Sequence, residues 1–378
     1  MNIPKIIVRY LPQFHQVPEN DEWWGEGFTE WTAVRKGEAL FGGHQQPRKP
    51  LNENYYDLLE KKTMQWQAQL GKKYGIGGFA FYHYWFKDGR RILEKPAENL
   101  LRWNDVDMPF CFSWANETWA RTWSNLVIKN TWADVFEKDK KGRIKDKGIL
   151  LDQRYGDKDA WLEHIHYLLP FFKDNRYIKY NNKPVFMIYQ PADICCLSDM
   201  LECWNEVLYK NGFDGIYLIG ETNKEYIPHL LDCDAMVIRF PDYSMQKMNP
   251  KILENGLKLY DYDTYWDILF QKNWGTLERP SYLCIAVDFD STPRRGTAGI
   301  LLDGVSSTKF SVNFLRALRM AQSLGHAYFF INAWNEWGEG MYLEPDDKHG
   351  YGYLEAIKDG IDEINKKSIS VYDIRENN

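Results

Sequence analysis

Residues 332–340 read Asn-Ala-Trp-Asn-Glu-Trp-Gly-Glu-Gly and set two carboxylates, Glu336 and Glu339, three positions apart among tryptophan and glycine. Two such groups at the mouth of a strand suit general acid and base work on a glycosidic bond. Retaining glycosidases hold their carboxyl groups about 5–5.5 Å apart, inverting ones about 6.5–9.5 Å. A tight turn would keep Glu336 and Glu339 near the shorter spacing, and repulsion with burial would then raise one pKa, leaving one acid and one base. The spacing equally allows a structural role, one glutamate capping the turn and the other solvated.

Other apolar runs also end in polar and aromatic residues. The first ends in Tyr10, Gln13 and His15, the second in Tyr82, His83 and Trp85. The third ends in Trp114, Asn116 and Glu117, with Trp119 and Arg121 just beyond. Later runs offer Tyr189, Glu221, Arg239, and Asp288 with Asp290. Taken singly, each fits core packing or a satisfied hydrogen bond, and His83 between two tyrosines reads more readily as structural. Taken together, they suggest a ligand cleft on one rim.

The elements that would position these residues alternate in kind. Strand candidates cover 6–15, 78–86, 109–116, 184–191, 215–221, 235–241, 282–291 and 327–337, mostly apolar throughout, as parallel strands buried on both faces are. Helix candidates cover 56–74, 92–103, 159–172, 197–211, 224–231, 263–272, 308–324 and 354–366. Eight of each predict an α/β fold, a single (β/α)8 TIM barrel over residues 1–378. Long connections, 16–55 after strand one and 117–158 after strand three, would emerge at the catalytic rim. No Ser/Gly linker marks a second domain.

Composition narrows the partners. The 378 residues carry 47 basic and 53 acidic side chains, a net charge of −6, against a nucleic-acid reader. The mixed charges of 137–147 read as a solvated loop. No stretch reaches the 18 apolar residues of a membrane span, and Arg9 and Pro12 interrupt the N-terminal apolar run, so a cytoplasmic protein is expected. Six cysteines, without a C-x-x-C pair, read as reduced and mostly buried. Aromatic residues make up 16%, with 16 Trp and 24 Tyr outnumbering 20 Phe, which suits stacking on sugar rings.

Rival motifs are weak. Gly75-Ile76-Gly77-Gly78 precedes a strand, whereas a dinucleotide fingerprint follows one. Asp288-Phe289-Asp290 matches an Asp-x-Asp metal site for a sugar nucleotide, but so do 105–107 and 261–263. No P-loop, G-x-S-x-G or H-E-x-x-H occurs, and neither metal nor cofactor is expected.

Several motifs together resemble one family. Residues 10–15 (Tyr-Leu-Pro-Gln-Phe-His), 20–25 (Asn-Asp-Glu-Trp-Trp-Gly), 28–31 (Phe-Thr-Glu-Trp), 44–47 (His-Gln-Gln-Pro), 82–86 (Tyr-His-Tyr-Trp-Phe), 114–117 (Trp-Ala-Asn-Glu) and 335–340 (Asn-Glu-Trp-Gly-Glu-Gly) resemble the WbsX-type family across nearly the whole chain. That family accompanies surface-polysaccharide and O-antigen biosynthesis, is often labelled glycosyltransferase, and is similar to the (β/α)8 endo-α-mannosidases of glycoside hydrolase family 99.

The resemblance implies a polysaccharide or oligosaccharide substrate and retention through a 1,2-anhydro sugar. Glu336 would take the 2-hydroxyl proton and Glu339 would protonate the departing oxygen, on a manno- or rhamno-configured ring. Glu344 matches a further family glutamate. Family 99 commonly has His where this chain has Gly338. The implied binding set joins Glu30, Trp31, Asn335 and Trp337 to Tyr10, Gln13, His15, Tyr82, His83, Trp85, Trp114, Asn116, Glu117, Tyr189, Glu221 and Asp288. Two rival readings are a transferase using a sugar nucleotide and a non-catalytic glycan-binding protein. Oligomeric state is left open.

Overall fold

Nine short strands build one parallel sheet in a computed structural model that describes residues 2–120, 149–223, 232–274 and 279–376. They are β1 (Lys5–Tyr10), β2 (Gly78–Trp85), β3 (Phe110–Trp114), β4 (Lys183–Ile188), β5 (Tyr217–Thr222), β6 (Ala235–Ile238), β7 (Ser281–Tyr282), β8 (Cys284–Ala286) and β9 (Tyr328–Asn332). Their order is β7-β6-β5-β4-β3-β2-β1-β9-β8. β7 pairs with β6 through Met236↔Ser281, and β8 with β9 through Cys284↔Phe330. These two strands flank Leu283 in one stretch of chain, so they act as a single interrupted stave and bring an eight-stave barrel round on itself.

The strands are buried almost throughout because helices cover the sheet's outer face and side chains fill the interior. Lys61–Lys73 follows β1, Lys95–Arg102 follows β2, Lys158–Lys173 follows β3 and Leu197–Lys210 follows β4. Tyr262–Gln271, Ser307–Ser323 and Gly352–Glu376 follow β6, β8 and β9. The helix expected at 224–231, residue Arg121 and the charged stretch 137–147 lie outside the described residues.

Most expected strands overrun the observed ones at their C-terminal ends. The first stops at Tyr10 because the next backbone N–H, on Leu11, is taken by the Asn335 side chain at 2.8 Å, and Pro12 has no N–H to offer. The helix expected from residue 56 starts at Lys61, since Tyr56 is instead drawn to Glu344 at 2.8 Å. Apolar content runs on past the strand ends because the rim loops are themselves buried.

Inside the barrel the alternation of side chains decides who faces whom. Arg9 points inward from β1 and meets Glu221 of β5 at 2.8 Å, both almost fully buried. Glu221 also accepts a hydrogen bond from Ser113 of β3 at 2.9 Å. This network ties three staves across the barrel directly beneath the rim.

Candidate active site

Beyond β9 the chain makes a miniature hairpin. Asn335–Glu336 pairs antiparallel with Met341–Tyr342, and Trp337–Glu339 forms the single 3-10 turn between them. Gly340 closes the turn at φ +66°, where a Cβ would lie 3.0 Å from both Arg48 and Asp290, so glycine is required on two counts. Asn335 fastens the hairpin to the end of β1, its Oδ1 accepting from Leu11 N–H at 2.8 Å and its Nδ2 donating to Leu11 C=O at 3.0 Å. Trp337 stacks on Tyr342 at 3.7 Å and donates its indole N–H to Glu344 at 2.7 Å.

Glu344 is the buried anchor of this assembly, at 2% exposure. It also accepts from Gln67 and Tyr56, both at 2.8 Å. Burial pushes its carboxyl up to about 7, against the downward pull of these donors. A carboxyl that binds its proton more tightly when folded contributes stability below its unfolded pKa of about 4.3, and that contribution is lost as pH rises through about 7. In urea unfolding, wild type is therefore expected to lose roughly 3 kcal/mol more than Glu344→Gln between pH 4 and pH 8. Equal losses in the two proteins would refute it.

The hairpin presents Glu336 and Glu339 to a cavity of about 410 Å³ at the C-terminal rim. Tyr82 and Tyr84 of β2 line it, as do Glu117, Trp119, Tyr189, Glu221, Arg239, Asp242, Asn332 and Arg294. Arg294 lies on the short helix Thr292–Arg295, whose Pro293 near the N-terminus follows the turn after β8. Its guanidinium reaches three carboxylates: Glu30 Oε1 from Nε at 2.8 Å and from Nη2 at 2.7 Å, Glu336 Oε2 from Nη2 at 3.1 Å, and Glu339 Oε1 from Nη1 at 2.5 Å. The helix Glu30–Arg35, opened by a Thr29–Thr32 capping box, brings Glu30 there.

Burial holds the Glu336 carboxyl well above the ordinary range, and repulsion from Glu339 and Glu30 adds to the effect while Arg294 opposes it. Burial and the nearby Glu336 likewise raise Tyr82 and Tyr84, which stay protonated and can donate. Burial raises Glu117, with Gln190 at 3.2 Å partly opposing.

The structure gathers eight residues singled out in the sequence on this cavity, namely Tyr82, Glu117, Trp119, Tyr189, Glu221, Arg239, Glu336 and Glu339. Glu30 stands directly behind the pair through Arg294. The others sit elsewhere. Tyr10 donates to Gln67 at 2.6 Å against helix Lys61–Lys73. His83 contacts His164 at 2.8 Å on the outer side of the sheet, and Trp85 stacks on the same histidine at 4.3 Å. Trp114 donates to the Trp85 carbonyl at 3.1 Å, and Trp31 to the Tyr56 carbonyl at 2.9 Å. Asn116 joins the ends of β3 and β4 by accepting from Gln190 N–H at 2.7 Å, which positions Glu117. Asn335 and Trp337 hold the hairpin from behind. His15 is buried, and neither it nor Gln13 borders the cavity.

Asp288 is bound by Arg48 at 2.7 Å, and Asp290 by Gln46 at 2.6 Å, His44 at 3.0 Å and the Thr292 hydroxyl at 2.6 Å. These ties fasten the 44–48 segment to the barrel and leave the Asp-x-Asp motif committed to structure. Among the described residues no group of three or more His, Cys, Asp or Glu is placed to hold a metal ion.

Sequence reading missed Tyr84, Asp242, Arg294 and Asn332. Strand parity could have found Tyr84, because Tyr82 and Tyr84 share a face while His83 and Trp85 take the other. Arg294 left only a faint signal, an arginine just after a proline at a strand's exit.

A sequence model of the family described as Glycosyltransferase WbsX matches residues 6–357. Two proteins from strains of Xanthomonas campestris pv. campestris, each named "Uncharacterized protein WxcX", are 32% identical over 376 residues, covering 94% of this chain and 49% of theirs. The chain thus spans about half the length of these curated relatives. Among solved structures, the GH99 endo-alpha-mannosidase from Bacteroides thetaiotaomicron superposes with a TM-score of 0.57 at 15% identity, covering 96% of this chain and 98% of that one. A "Glycoside hydrolase-like protein" gives 0.56 at 13%, covering 96% and 94%. These structural likenesses establish a shared barrel fold. No helix among the described residues is long and apolar enough to cross a membrane.

Proposed function

The chain belongs to the WbsX glycosyltransferase family, and from that premise we propose that it is a carbohydrate-active enzyme that cleaves or transfers glycosides with retention, using Glu336 and Glu339. Its substrate in this reading is a bacterial surface polysaccharide, such as O-antigen or capsule, or a precursor of one. The observation that carries it is the pair of carboxyls on one turn at the barrel rim, bound to one guanidinium and facing a tyrosine-walled cavity.

The chemistry follows from proton bookkeeping. Strongly interacting carboxyls titrate as a unit, so the proton they retain near neutrality belongs to the pair. The form of the pair that reacts carries that proton on Glu339 and leaves Glu336 ionised; Glu336, whose burial makes it a strong base once ionised, then takes the 2-hydroxyl proton as the 2-oxygen attacks C1. Glu339, more open at 30% exposure, delivers a proton to the departing oxygen on the solvent side. Water or an acceptor hydroxyl then opens the 1,2-anhydro ring from the opposite side, regenerating both groups with net retention. The 2-hydroxyl must lie trans to the leaving group, as in α-mannosides and α-rhamnosides.

Carboxylates outnumber arginines along the lining, which favours a neutral sugar over a nucleotide diphosphate. The free cysteines suit a cytoplasmic setting. NMR of the first-formed product from α-manno- and α-rhamno-configured oligosaccharides is expected to show turnover with retained anomeric configuration. Inversion, or turnover only with added nucleotide sugar, would refute the reading.

A further inference from the structure

We propose that Arg294 is the positioning residue of this site: braced by Glu30, it fixes the spacing of the Glu336 and Glu339 carboxyls and offsets their charge. The inference rests on the reading of that pair as the reacting groups. The geometry is specific. One guanidinium satisfies three carboxylates from two separate segments, Glu30 on its helix and the other two on the hairpin, and only an arginine's planar fork can reach all of them at 2.5–3.1 Å.

Gly338 completes the arrangement. A Cβ there would fall 1.8 Å from Glu30 Oε1 and 2.8 Å from Arg294 Nε, so the Glu30–Arg294 pair fills the space that a side chain at 338 would need. The turn that carries both glutamates is thereby closed around the clamp.

The electrostatics follow from counting. Around Arg294 three carboxylates face one cation, and burial together with repulsion from Glu339 and Glu30 holds the Glu336 carboxyl above its ordinary range against the pull of Arg294. Tyr82 and Tyr84 face the cavity from β2, Glu117 from the end of β3, Tyr189 from the end of β4, Glu221 from β5, Arg239 and Asp242 from the region after β6, and Arg295 beside Arg294. Removing the Arg294 charge therefore makes the Glu336 carboxyl hold its proton more tightly. Removing the Glu30 charge does the opposite, because it deletes a repelling neighbour and leaves the cation.

Carbon-13 NMR titration of the glutamate carboxyls in the free protein tests this without turnover, with Glu336→Gln assigning the signal. In Arg294→Gln the Glu336 titration is expected to move up by a unit or more, in Arg294→Lys by less than half of that, and in Glu30→Gln downward. The acidic limb of kcat/KM is expected to follow the same order, with kcat for Arg294→Gln reduced about 100-fold. A part played only in folding would lower activity in all three without opposite shifts. Should Arg294→Gln melt like wild type yet leave the Glu336 titration within 0.3 unit, or should Glu30→Gln shift it upward, the clamp is wrong even if the enzyme is a glycosidase. Should the shifts appear in a protein that turns over no glycoside, the clamp stands and the functional reading falls.

Discussion

Glu339→Gln is expected to lose about 10³-fold in kcat/KM on oligosaccharides, while losing less than about 10-fold on an aryl glycoside with an excellent leaving group. A sugar alkoxide departs only if protonated as the bond breaks, whereas a dinitrophenolate departs unaided. Glu336→Gln is expected to lose activity on both substrates, because attack by the 2-oxygen needs its base whatever the leaving group. The contrast between the two variants separates the roles more sharply than either alone. Each amide keeps the shape of the carboxyl and a carbonyl acceptor for Arg294, so the hairpin is retained. Equal losses for Glu339→Gln on both substrates would remove its acid role.

Gly338→Ala is the second large effect. The added methyl meets the tips of two side chains, Glu30 Oε1 at 1.8 Å and Arg294 Nε at 2.8 Å, rather than backbone. Such tips give way at modest cost, about 1 kcal/mol of overpacking, well short of unfolding. The same displacement pulls the guanidinium from Glu336 and Glu339, and an ångström of misplacement at reacting groups costs about 100-fold in rate. Activity is therefore expected to fall about 100-fold while the melting temperature drops by only a few degrees. A fully active variant would show that the space is not needed.

Fold class was legible because the signal is collective. Eight apolar runs alternating with eight amphipathic ones leave few architectures, and errors at each boundary do not alter the count. The proximity of Glu336 and Glu339 at the rim was legible because one short turn carries both groups, with Gly338 between them and Gly340 after. The rest of the site was harder, since it depends on which face of a strand a residue takes. His83 and Trp85 are adjacent in sequence to Tyr82 and Tyr84 yet lie across the sheet from them, packed on His164. Polar type alone also misleads at strand ends. Asn116, Asn335 and Asp288 have site-like chemistry, but their hydrogen bonds are spent joining loops. Arg294 was invisible because its role is defined by partners in two segments far from it in sequence, Glu30 and the 336–339 turn.

On the proposed function, the way the hairpin is fastened governs how such a site can diversify. Glu336 and Glu339 are secured from the rear by Asn335, Trp337 and Glu344, whereas Tyr84, Glu117 and Tyr189 enter from three neighbouring staves. Substitutions along those outer contributors can retune which glycan is accepted while the chemistry stays intact. Descendants of one ancestor could thus come to serve differently decorated cell coats by changing the guests and keeping the host's hands still.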